Sequence, residues 1–128
     1  MSLKTLLVIT AVIGLMFGLG FALVPAQLLA GFGISTDATG LQMARDFGTA
    51  LLGLAVMAWF ARNAGDSIAR RAITLGFCAY FTLAAISEIF WALTGIPNMN
   101  VWFIVAMFVI LAVAFGYFYF TQRGPVKS

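Results

Sequence analysis

Residues 6–24 read LLVITAVIGLMFGLGFALV, an apolar run without a charge or a proline. About 20 such residues span the hydrocarbon core of a bilayer as a helix. Working outward from this run, comparable ones recur at 47–61, 72–93 and 101–120. The whole chain, 128 residues with 63% hydrophobic and 9% charged side chains, departs from soluble globular usage. The expected fold is therefore all-α, an integral membrane four-helix bundle of up-down-up-down order. It forms a single transmembrane domain over 1–128, with spans at about 4–24, 41–61, 70–94 and 100–121.

The net charge of +3 does not point to nucleic acid, because the basic residues sit in short segments beside the spans without interleaved aromatics. They report orientation instead. Lys4, Arg62, Arg70, Arg71, Arg123 and Lys127 all fall on one side of a four-span topology, whereas 25–40 and 95–100 contain no Lys or Arg. By the positive-inside rule both termini are expected in the cytoplasm. Trp91 and Trp102 flank one turn and Trp59, Tyr117 and Tyr119 mark the other ends, the distribution of interfacial aromatic belts. The chain has no histidine, so the usual haem ligand and the commonest zinc ligand are missing. Cys78 is the single cysteine and reads as a small buried hydrophobe. No metal, no cofactor and no catalytic residue is expected.

The connections are punctuated by residues with local reasons to be there. Pro25 ends the first span, since it lacks an amide donor and clashes with the preceding turn. Ser35, Thr36 and Asp37 are candidate N-caps for the second span, and Asp66 or Ser67 for the third. Gly95 and Pro97 close the third. The short turns at 62–71 and 95–100 predict that spans two and three, and spans three and four, are adjacent. Gly14, Gly18 and Ala22 recur every fourth residue and make a flat stripe for close helix packing.

Arg45-Asp46 and Glu88 interrupt otherwise apolar helices. A charge at the bilayer centre costs about 2.5–3.5 kcal/mol on insertion scales, and such residues usually face a bundle interior. Arg45 and Glu88 lie equally far from Arg62 and Arg71, the basic residues of their helices, a rise of roughly 25 Å at about 1.5 Å per residue. They are therefore level, and an ion pair between them is expected, with Asp46 sharing the guanidinium or facing water. Helical spacing adds Gln42 and Thr49 to the face of Arg45 and Trp91 to that of Glu88. This set is either a clamp between helices or a site for the polar head of an amphipathic molecule, whose tail would follow the apolar halves of the helices.

The four spans, the proline after the first, and the run Arg45-Asp46-Phe47-Gly48-Thr49-Ala50-Leu51-Leu52-Gly53-Leu54 resemble the small DoxX-like four-helix bacterial membrane proteins. The resemblance implies the bundle fold, the bacterial cytoplasmic (inner) membrane and, within that broad group, accessory roles beside redox or oxidase enzymes. It carries over Arg45 alone. The expected function is non-catalytic: an accessory subunit, or a binder of lipid or another amphipathic small molecule through the polar site of the outer leaflet. Membrane lipid is the expected partner, with a homo-oligomer or a larger membrane complex as the assembly. The alternatives are a small oligomeric transporter or ion-coupled carrier using Glu88, and a membrane enzyme acting on lipid or quinone.

Overall fold

Three side chains open three of the long helices by accepting a hydrogen bond from an otherwise orphaned amide of the first turn. Ser2 Oγ accepts from the Thr5 amide at 3.1 Å, Asp37 Oδ1 from Gly40 at 2.9 Å, and Ser67 Oγ from Arg70 at 3.1 Å. The computed structural model describes residues 1–121, all-helical among those residues. The helices are α1 (Leu3–Leu23), α2 (Pro25–Gly31), α3 (Ala38–Ala61), α4 (Ile68–Leu93) and α5 (Val101–Thr121). Four of them, all but α2, are long and apolar enough to cross a membrane. Arg123 and Lys127 lie outside the described residues.

Pro25 ends α1 and opens α2 at the first position, where its missing amide costs nothing. The asparagines of the α4–α5 turn then tie α2 down. Asn98 Nδ2 and Asn100 Nδ2 donate to the Gly31 carbonyl at 3.0 and 2.7 Å, and the Asn98 amide donates to the Phe32 carbonyl at 2.8 Å. Gly33, at φ 75°, supplies the left-handed turn that an L side chain adopts with strain. The helix α2 and the turn after it are thus fixed to the turn between α4 and α5.

The helices pack as two pairs, α1 with α3 and α4 with α5, while the consecutive α3 and α4 scarcely touch beyond their turn. This corrects the expectation that spans two and three pack as neighbours. The pairing follows from side-chain size. Gly14 and Gly18 of α1 meet Ala55, Leu51, Leu52 and the Gly48 carbonyl of α3, and a Cβ on Gly48 would lie 2.5 Å from the Ala22 nitrogen. Small residues let the two backbones approach. Between α4 and α5 the filling is aromatic: Phe77 and Phe115 stack at 5.1 Å, and Phe81 stacks on Phe115 at 5.9 Å.

The two pairs share a buried cluster toward the basic end, which carries Lys4, Arg62, Arg70 and Arg71. There Leu6, Leu7, Phe77 and Phe115 are among the most completely buried side chains. Elsewhere large apolar residues point outward on every long helix, including Met16, Phe60, Phe90 and Phe103, each at least 66% exposed. An apolar exterior of that extent is what a lipid solvent accommodates and water does not.

Candidate ligand-binding cleft

Away from the basic end the pairs diverge and enclose a cleft of about 320 Å³, within the usual range of roughly 300–1,000 Å³ for small-molecule sites. From α1 come Thr10, Ile13, Gly14, Phe17 and Phe21; from α3, Met43, Ala44, Phe47, Leu51 and Leu54. The opposite wall is Tyr80, Phe81, Glu88 and Trp91 of α4 with Ile104, Met107 and Phe108 of α5. Leu29 and Phe32 of the α2 segment cover one end, where Phe32 lies against Trp91 at 6.2 Å between ring centroids. Phe77 and Phe81, stacked at 6.1 Å, form the floor toward the basic end.

Glu88 is the only charged side chain among the described residues lining the cleft. It is half-buried, one helical turn from Trp91, and two turns beyond Tyr80, a rise of about 12 Å. Tyr80 packs edge-on to Phe81 at 5.0 Å. The polar groups of this α4 face therefore follow the long axis of an otherwise hydrocarbon wall. Among the described residues no three of His, Cys, Asp and Glu converge.

The expected partners of Glu88 are elsewhere. Gln42, Arg45, Asp46 and Thr49 are exposed on α3, on the side of the helix turned away from Met43, Phe47 and Leu51. Arg45 and Glu88 form no ion pair: among the described residues the bridges run from Asp66 to Arg70 and Arg71. Within the exposed set, Gln42 Nε2 donates to Asp46 Oδ1 at 2.9 Å and Thr49 Oγ1 to the Asp46 carbonyl at 2.8 Å, whereas the Arg45 side chain makes no hydrogen bond or ion pair with a described residue. The depth comparison equates heights along two helices and says nothing of their rotation. Rotation of α3 is fixed by Gly48 and Ala55, which must face α1. That choice turns the polar set away from the cleft and Met43, Phe47 and Leu51 toward it.

The structure thus gathers Glu88 and Trp91, two of the sequence-derived site residues, and leaves Gln42, Arg45, Asp46 and Thr49 as a second group. Gly14, which belongs to the small-residue stripe, also lines the cleft. Tyr80 is not among the residues expected from the sequence, although stepping by fours from Glu88 through Ala84 reaches it. The α3 wall also had a signal, since Met43, Phe47 and Leu51 recur every fourth residue. Compared with protein-family models, with curated proteins and with solved structures, the chain matches none.

Proposed function

We propose that this chain is a multi-pass protein of the bacterial cytoplasmic membrane that binds an amphipathic small molecule in the cleft, without transforming it, alone or as an accessory subunit. The observation that carries the reading is one carboxyl group at one end of an apolar cleft lined by four spans. Glu88 favours a head group that donates hydrogen bonds or carries positive charge, such as a long-chain amine. It disfavours phosphate, for which no Lys or Arg among the described residues lines the cleft.

Burial of a hydrocarbon tail gains about 0.8 kcal/mol per CH₂ relative to water, but a lipid tail has already left water. Transfer from bilayer to cleft changes packing rather than hydration. Selectivity must therefore come from the head group at Glu88 and from the fit of the tail against Phe17, Phe47 and Phe108. A hydrogen bond to a charged group contributes about 1.5–3 kcal/mol, so Glu88→Gln should weaken binding roughly 10-fold to 100-fold.

The test uses the purified chain in lipid nanodiscs and two fluorescent probes of equal chain length, one a primary amine and one a carboxylate. Preferential binding of the amine, weakened by Glu88→Gln, supports the reading. Equal retention of both probes, or indifference to Glu88→Gln, overturns it. Proton flux in sealed proteoliposomes on adding the amine, abolished by Glu88→Gln, would replace binding with carriage.

A further inference from the structure

The second polar group, on the outer face of α3, lies away from the cleft. We propose that it is where a second copy of this chain packs, with the two-fold axis along the membrane normal and Arg45 of each copy against Asp46 of the partner subunit. The Lys and Arg bias of this chain toward one end gives every copy the same orientation on insertion, so identical residues of two α3 helices stand at equal depth. Arg45 and Asp46 are consecutive and differ in height by only about 1.5 Å. The face is therefore complementary to itself: one pairing of opposite charges is generated twice by the symmetry, as an isologous contact requires.

The Arg45 side chain is exposed and makes no hydrogen bond or ion pair with a described residue, on a helix long and apolar enough to span a bilayer. An unpaired charge there is costly, and a partner at the same depth relieves the cost. Asp46 receives Gln42 on Oδ1 and retains Oδ2 as an acceptor. Further along the same face Gly53 is exposed, and a Cβ built on it would meet nothing within 4 Å. Thr49 and Gly53 thus form a small-xxx-small pair free to receive another helix, the spacing that allows close approach in membranes. Below them Val56 and Phe60, 57% and 76% exposed, continue the face in apolar material.

The experiment is oxidative cross-linking of the full chain, reconstituted in vesicles of phosphatidylethanolamine and phosphatidylglycerol, on a Cys78→Ala background. Thr49→Cys should cross-link about tenfold more than Leu83→Cys, which lies at an exposed position of α4. Adding Arg45→Asp, which sets like charges against each other, should abolish the excess. The exchange of Arg45→Asp with Asp46→Arg should restore it. Equal yields at positions 49 and 83, or a yield unchanged by Arg45→Asp, or failure of the exchange to restore it in inserted protein, would overturn the proposal. The comparison of positions 49 and 83 keeps the native charges, so it decides the matter even where a charge variant fails to insert.

Discussion

Asp66, in the turn between α3 and α4, receives both arginines of the α4 start. Arg71 Nε and Nη2 donate to its two oxygens at 3.0 and 2.9 Å, and Arg70 Nη2 stands at 3.6 Å. The bidentate hydrogen bonds from Arg71 hold the Asp66 carboxyl below the usual carboxylate range, with both arginine charges adding to the effect. Because the folded-state value is depressed, the contribution to stability is present above the unfolded value of about 3.9 and is lost as pH falls through the folded one. Asp66→Asn should therefore lower the unfolding temperature at neutral pH. The gap from the native chain should close in acid, as both then lack the charge. Thermal unfolding of the two proteins in one detergent, over a pH series, checks this. A gap that persists below the folded-state value would mean that Asp66 acts through its backbone geometry and not through its charge. The same residue-scale logic separates the membrane charges. Glu88 is half-buried against an apolar wall and Arg45 is exposed, so removal of one should alter what the cleft holds and removal of the other what the outer face meets.

At the scale of elements, the seam between α1 and α3 sets what every other residue of α3 faces. A Cβ on Gly48 would stand 2.5 Å from the Ala22 nitrogen and 2.8 Å from the Gly18 carbonyl oxygen. These are backbone atoms and cannot rotate aside, so Gly48→Ala must part the helices, with the overpacking cost of about 1–3 kcal/mol. Gly76→Ala is the control, because a Cβ there meets nothing within 4 Å, and alanine favours the helix relative to glycine. Unfolding midpoints in a denaturing detergent should fall for the first and hold or rise for the second. Equal effects would show that helix propensity, and not the seam, governs this position. This seam also explains what the sequence does and does not convey. The cap at Asp37, the stop at Pro25 and the turn at Gly95 are local chemistry, legible from neighbouring residues. Lengths and heights follow from counting. The rotation of α3 depends on how residues of α1 and α3 fit side by side, and a hydropathy pattern with apolar residues on nearly every face does not encode it. The pairing of Arg45 with Glu88 failed at that step, while the Glu88–Trp91 face, set by spacing on one helix, lies together in the cleft.

At the scale of the molecule, the core is asymmetric along the helix axes. The two pairs close on Leu6, Leu7, Phe77 and Phe115 toward the basic end and separate around Glu88 toward the other, where Asn98 and Asn100 hold α2 across the gap. Which leaflet supplies the cleft therefore depends on which way the chain is inserted. Lys4, Arg62, Arg70 and Arg71 share one end, and the segments 25–40 and 95–100 at the opposite end contain no Lys or Arg. Basic residues within short loops are retained on the cytoplasmic side, so the cleft should lie toward the outer leaflet. Single cysteines on a Cys78→Ala background test this with a membrane-impermeant maleimide in intact spheroplasts. Asn98→Cys should react, and Ala64→Cys should react only after the membrane is permeabilised. The reverse pattern would place the divergent end in the cytoplasmic leaflet, and the ligand would then be drawn from there. The geometry of the cleft would be unchanged, but under the proposed binding function the head groups within reach of Glu88 would be those of the inner monolayer.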